Sequence, residues 1–166
     1  MIWNKKTWII SDLHLNHRNI IRYCNRPFKS VGEMNKVLVD NWNNTVRQKD
    51  TVYFLGDLAV RPSPKSWLRL LNGHIIFIKG NHDSIGVHHV VLNGNMLVHN
   101  PHDIRDSWKG WIIHGHVHNA APFIDKVHKR VNVSVEATGY IPIDLTKLEK
   151  RLAAIKRDKA NIIISN

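Results

Sequence analysis

Apolar residues along the 166-residue chain come in short runs that each end in a polar cluster, and the spacing within each run predicts its element. Residues 7–10 are β-branched and aromatic, which predicts a strand, and they give way to Ser11-Asp12-Leu13-His14. A helix is expected from near Asn16. Ser30-Val31-Gly32-Glu33 forms a capping box, after which Met34, Val37, Leu38, Asn41 and Trp42 share one face of a second helix. Residues 51–55 predict a strand ending at Gly56-Asp57. Ser63-Pro64 opens a short helix carrying Trp67, Leu70 and Leu71, which Gly73 stops. A third strand, 75–78, ends at Gly80-Asn81-His82-Asp83. Runs 90–92 and 96–98 flank Asn93-Gly94, a type I′ hairpin signal, and the second arm ends at His99. Run 111–113 closes at His114-Gly115-His116-Val117-His118, and 131–135 and 140–143 add two more strands. Thr146-Lys147-Leu148-Glu149 repeats the capping-box pattern and starts a final helix. Hairpin and βαβ signals are interleaved, which points to an α/β fold with mixed sheets packed between helices. No linker-like stretch interrupts the chain, so residues 1–166 are expected to form a single domain.

Charge adds a partner class. The formal net charge is +11 with the 12 histidines neutral, and a positive field concentrates polyanions such as phosphate esters or nucleic acid. Near the C-terminus Lys147, Lys150, Arg151, Lys156, Arg157 and Lys159 flank Leu145, Leu148, Leu152 and Ile155 at helical spacing, which reads first as an amphipathic helix with a solvated basic face. Met1 runs almost directly into the first apolar run without the parts of a signal peptide, so a cytoplasmic protein is expected. No window approaches the ~18 apolar residues of a membrane span. Cys24 is the one cysteine, which excludes an intrachain disulfide and a Cys-based zinc site and leaves a small buried hydrophobe as its reading.

Ligand-type residues gather just beyond the predicted strands: Asp12 with His14, then Asp57, Asn81, His99, and His116 with His118. In α/β sheets ligand sites collect at that edge. In Asp12-Leu13-His14 and His116-Val117-His118 the i, i+2 spacing places both side chains on one side of an extended segment, so that one ion binds both or two neighbouring ions share them. Oxygen and nitrogen donors without a thiolate suit Mn²⁺, Fe, Zn²⁺ or Ni²⁺. Seven ligands exceed one tetrahedral ion. Two ions sharing a carboxylate fit the count, with Asp57, alone after its strand, as the natural bridge, and such pairs recur in phosphate-ester hydrolysis.

Asp12-x-His14, Gly56-Asp57, Gly80-Asn81-His82-Asp83, Leu97-Val98-His99 and Gly115-His116-x-His118 resemble, in order, the five motifs of the calcineurin-like metallophosphoesterase superfamily. The resemblance implies a four-layer sandwich, two mixed β-sheets flanked by helices, with two divalent ions, manganese first, at the strand ends. It implies that Asp12, His14 and His118 hold one ion, that Asn81, His99 and His116 hold the other, and that Asp57 bridges them. His82 becomes the acid for the leaving group, with Asp83 orienting it. A water shared by two divalent ions loses its proton near neutral pH and attacks phosphorus as hydroxide. The residues after Asp57 read Leu58-Ala59-Val60-Arg61, without the acidic residue many relatives carry, and Asn100-Pro101 follows His99 where Gly is frequent. Substrate contacts near Arg61 and Asn100 therefore do not carry over.

The match covers nearly the whole chain and resembles the minimal, uncapped type, whose open site admits a diester. The expected function is thus a metal-dependent phosphodiesterase acting on a phosphate ester, with nucleotides and nucleic acid among the candidate substrates. A phosphomonoesterase, a nuclease and a non-catalytic scaffold are the alternatives. His17 reads equally as a phosphate contact or a solvated group, and His114 as a buried supporting group. His74, His88, His89, His102 and His128 read as surface or structural. Trp3, Trp8, Trp42, Trp67, Trp108 and Trp111 read as core residues.

Overall fold

The structure, a computed structural model, describes residues 4–60, 64–105 and 107–164, with Pro64 and 158–164 described as backbone. Strand β1 (Thr7–Ile10), helices α1 (Arg18–Tyr23) and α2 (Val31–Thr45), strand β2 (Thr51–Phe54), helix α3 (Pro64–Leu68) and strand β3 (His74–Phe77) form the first half. Strands β4 (His89–Leu92), β5 (Asn95–Val98), β6 (Ile112–His114), β7 (Ile124–Asp125) and β8 (Arg130–Asn132) follow. Helix α4 (Val135–Thr138), strand β9 (Ile143–Asp144) and helix α5 (Leu145–Ile164) close the chain. The strands make two mixed sheets flanked by helices, as expected: one in the order β3-β2-β1-β9 and one in the order β4-β5-β6-β8-β7.

In the first sheet β1, β2 and β3 run parallel and β9 antiparallel; in the second β5, β6 and β8 run parallel between antiparallel β4 and β7. Strand periodicity of two divides each run between two cores. Ile10, Val52 and Phe54 face Met34, Leu38 and Trp42 on α2, three residues spaced by helical turns. Ile9, Leu55 and Ile78 face the other way and pack with Leu97, Ile113 and Val131 of the second sheet and with Leu145, Leu148 and Leu152 of α5. Both faces of the first sheet are covered, which is why its strands read as continuous apolar runs. The outer face of the second sheet, Met96, Val98 and Ile112, is covered by Ile104 and Trp108 beside the 3₁₀ turn Pro101–Asp103. Among the described residues no helix is long and apolar enough to cross a membrane.

Local signals explain most element ends. Ser30 Oγ accepts from Glu33 N at 3.1 Å while Glu33 reaches back to Lys29 N at 2.7 Å, one residue earlier than in the standard box. Asn93 (φ 50°) and Gly94 (φ 76°) both take the left-handed conformation that a type I′ turn requires. Other boundaries move. Helix α5 starts at Leu145, and Asp144 caps it by accepting from Lys147 N at 3.1 Å, so the cap is not Thr146. The expected strand 131–135 stops at Asn132 because α4 begins at Val135, and 140–143 contributes only the start of the two-residue β9. Edge strand β7 pairs over two residues, too short to leave an alternating pattern. Helix α3 ends at Leu68, leaving Leu70 exposed. Trp3, Arg61 and Ser63 lie outside the described residues. Trp42 and Trp111 are buried as core residues, and Trp8 donates to Asp50 Oδ2 at 2.9 Å.

Candidate metal centre

The parallel strands of both sheets deliver their carboxyl ends to one place. Ser11 N donates to Val133 O at 3.0 Å, Asp12 N to Gly56 O at 3.0 Å and Gly115 N to His99 O at 3.0 Å, so backbone bonds stitch together the segments that follow β1, β2, β5, β6 and β8. Two glycines permit this. A Cβ on Gly80 would collide with the Asp57 side chain and backbone, and one on Gly115 with the side chains of Ser11 and Asp12.

All seven candidate ligands meet here. His14 Nε2 lies 3.4 Å and His99 Nε2 3.5 Å from Asp57 Oδ2, which places that carboxylate between two histidine clusters. On one side Asp12 Oδ1 lies 3.9 Å from both His14 Nε2 and His118 Nε2. On the other Asn81 Oδ1 lies 2.9 Å from His99 Nε2 and 3.0 Å from His116 Nδ1.

The i, i+2 expectation needs correcting. Asp12 (φ 62°), His14 (φ 49°), His116 (φ 71°) and His118 (φ 49°) are left-handed, not extended, and Asp57 (φ 58°) joins them. The turn after each strand rotates the second residue of each pair. His116 therefore points toward Asn81 and His99, while His118 points toward Asp12. Left-handed backbone costs of order 1–3 kcal/mol per non-glycine residue and collects at functional sites. Here it is held by His14 N donating to Asp57 O at 2.9 Å and His116 N to Asp12 Oδ2 at 3.0 Å.

The donor set fits divalent ions. His99 Nδ1 donates to Leu55 O at 2.7 Å, which leaves a lone pair on Nε2 facing two acceptors, Asn81 Oδ1 and Asp57 Oδ2. Asp12 Oδ1 and His14 Nε2 are buried without a hydrogen-bond partner. Asp12, His14 and His118, and likewise Asp12, Asp57 and His99, are close enough to hold a metal ion. Burial pushes the Asp57 carboxyl up, against the pull of His99 and the His82 N–H, so a cation there relieves a desolvated charge.

His82 sits at the rim with 53% of its side chain exposed, its Nε2 3.9 Å from Asp57 Oδ2 and its N–H donating to Asp57 Oδ1 at 3.0 Å. Asp83 does not serve it as expected. The buried Asp83 carboxylate accepts instead from the backbone N–H groups of Asp57 (2.6 Å), Gly80 (2.9 Å) and Leu58 (3.3 Å), tying the β2 and β3 loops together. His17 Nδ1 approaches His14 Nδ1 at 3.4 Å, and His114 is buried with its Nδ1 2.8 Å from Gly115 O. His88 and His89 are exposed, as expected of surface groups. With Lys79, Asn81, Asn100 and His116 they line a cavity of about 550 Å³ beside the Asn81 cluster.

Two functional-looking residues escaped the sequence reading. Arg26, its side chain fully buried, and Glu136 form an ion pair at 2.8 Å, and Glu136 accepts from His118 Nδ1 at 3.1 Å. Neither stands in a motif; only the 110-residue separation closed by folding joins them. Cys24 also comes within ligand distance of His118 and Glu136. Burial and then the Glu136 charge push its thiol up to about 11, so it keeps its proton beside that carboxylate.

Burial also pushes His14 down to about 2 and His114 down to about 4, so both rings are neutral in the folded, metal-free chain. In the unfolded chain they titrate near pH ~6.5. Below that pH the unfolded state binds more protons than the folded state, and stability rises with pH. Metal-free protein is expected to lose about 2 kcal/mol per ring between pH 7 and pH 5, part of it offset by His118, whose ring is raised. Thermal unfolding after chelation measures this, and an unfolding midpoint that is flat over that range would contradict neutral buried rings.

No family model matches the chain. It is 49% identical over 159 residues to the uncharacterized protein MJ1445 of Methanocaldococcus jannaschii, covering 88% of this chain and 90% of that one. Among solved structures it resembles the protein of unknown function AQ665 from Aquifex aeolicus, with a TM-score of 0.68 and 26% identity over 89% of this chain and 99% of the other. A fainter likeness, TM-score 0.42 and 16% identity over 81% and 73% of the two chains, is to a conserved uncharacterized protein, a predicted phosphoesterase, from Streptococcus pneumoniae.

Proposed function

This chain belongs to the family of protein MJ1445, and from the centre its fold assembles we propose that it is a metal-dependent phosphoesterase, acting on phosphodiesters. One observation carries the reading. Asp12 Oδ1 and His14 Nε2 are buried without a hydrogen-bond partner, and around them the ring nitrogens of His14 and His99 crowd the oxygens of Asp57 and Asn81, an arrangement that cations stabilise. Asp12, His14 and His118 would hold one ion and Asn81, His99 and His116 the other, with Asp57 placed between the two clusters to serve both. Manganese fits this oxygen and nitrogen set, as do Fe, Ni²⁺ and Zn²⁺.

When bound, the pair supplies positive charge to the phosphoryl oxygens and lowers the pKa of a shared water. The chain's own residues do the rest. Asn81 ligates without charge, so the centre keeps more net positive charge than an all-carboxylate set would leave it. His82, half exposed at the rim, can reach a leaving-group oxygen and hand it a proton. The cavity lined by Lys79, His88 and His89 offers cationic and hydrogen-bonding walls to the remaining part of an anionic ester. No described element closes over it, which favours a diester with two substituents over a small monoester.

The test pairs metal analysis of protein purified without chelator with hydrolysis of an aryl phosphodiester. Two divalent ions per chain and turnover that chelation abolishes are expected. Turnover that survives complete metal removal would overturn the proposal, as would an inert protein holding two ions.

A further inference from the structure

Resting on the two-ion reading, we infer that the buried Arg26–Glu136 pair is the positioning device of one ion alone, the one held by Asp12, His14 and His118. Arg26 lies between α1 and α2, and Glu136 lies in the first turn of α4. Arg26 Nε and Nη2 both reach Glu136 Oε1 at 2.8 Å. The guanidinium then spends its remaining donors on the loop after β1: Nη2 donates to Asp12 O at 2.8 Å and Nη1 to Leu13 O at 2.9 Å. Those carbonyls flank the peptide units that aim Asp12 and His14. Glu136 accepts from His118 Nδ1 with both oxygens at 3.1 Å, which fixes the tautomer and leaves Nε2 free to ligate on the Asp12 side. A carboxylate behind a ligating histidine orients the ring and raises its basicity.

The other cluster is braced differently. His99 donates from Nδ1 to a backbone carbonyl, Leu55 O, and His116 turns its own Nδ1 toward Asn81. Among the described residues Arg26 and Glu136 bond Asp12, Leu13, Met34 and His118, with no bond to Asn81, His99 or His116. One charged pair thus bonds the His118 ring directly and braces the Asp12 and Leu13 carbonyls of the segment that carries His14. Cys24 lies beside the pair, within ligand distance of both Glu136 and His118.

Wild-type and Glu136→Gln protein, stripped of metal, would be titrated with Mn²⁺ by equilibrium dialysis and followed by electron paramagnetic resonance. Two bound Mn²⁺ give a coupled signal, one gives the six-line mononuclear signal. Losing such a supporting carboxylate costs about 10–100-fold in metal affinity. The variant is therefore expected to weaken one of its two sites by that factor, keep the other within about twofold, and show the six-line signal at Mn²⁺ concentrations that couple the wild type. Because Glu136→Gln leaves Arg26 buried without its counter-charge, Arg26→Met/Glu136→Gln, which removes both charges, serves as the second variant and is expected to lose the same ion. Two sites of wild-type affinity in either folded variant, or equal weakening of both, overturns the assignment alone. A wild-type chain that binds no Mn²⁺ overturns the two-ion reading and this inference with it.

Discussion

Asp57→Ala is expected to empty both metal sites and to lower phosphodiester turnover by ~10³-fold or more. The carboxylate oxygen Oδ2 lies 3.4 Å from His14 Nε2 and 3.5 Å from His99 Nε2, so its removal takes a ligand from each cluster at once. It also takes the acceptor of the His82 N–H at 3.0 Å. An ion pair supplies several kcal/mol of charge stabilisation in the transition state, and each ~1.4 kcal/mol is tenfold in rate. Asp57→Asn is the sharper variant, because it keeps the shape and the acceptor for His82 N while deleting the charge. Mass spectrometry of the native proteins counts the ions. An Asn variant that retains two ions at wild-type affinity and turns over within tenfold of the wild type would show that Asp57 is not the shared ligand.

The second large effect is chemical selectivity at His82. His82→Ala is expected to keep both ions and to lose about 10²–10⁴ in kcat on an alkyl or nucleoside diester, with far less lost on a p-nitrophenyl ester whose leaving group departs as an anion. The geometry separates the roles. The ring stands at the rim, half exposed where His14 and His118 are largely buried, and edge-on to His14 at 5.6 Å. Asp83 holds the backbone of the two loops and not this ring, so Asp83→Asn should disturb metal binding along with rate. Equal losses on both ester types by His82→Ala, with the ions in place, would make His82 a phosphoryl-binding group and not the acid.

Much of this arrangement was written locally. The strands 51–54, 74–77, 89–92 and 95–98 appear within a residue of where apolar runs place them, because each packs apolar side chains against a core and those side chains stand consecutively in the chain. The Ser30 cap and the Asn93-Gly94 turn are fixed by side chains within four residues of their targets. Weak elements were not legible. Strand β7 and α4 hold two and four residues, and their existence depends on pairing and packing with distant segments.

By itself the sequence determined which residues can ligate and that they follow strands, since residue chemistry and hydrophobic period are local properties. It also determined the glycines at 80 and 115, though not what presses against them. The family resemblance already divided the ligands between two clusters, and the tertiary structure supplies the physical reason, with His116 beside Asn81 and His99 and with His118 beside Asp12. His116 and His118 part company because each left-handed turn rotates its side chain, and no period of two anticipates that. Only the tertiary structure decided that Asp83 clamps two loops and that Arg26 meets Glu136 across 110 positions. Such contacts obey no sequence spacing. A buried charge needs a partner wherever the fold supplies one, and that partner is set by the packing of the whole chain.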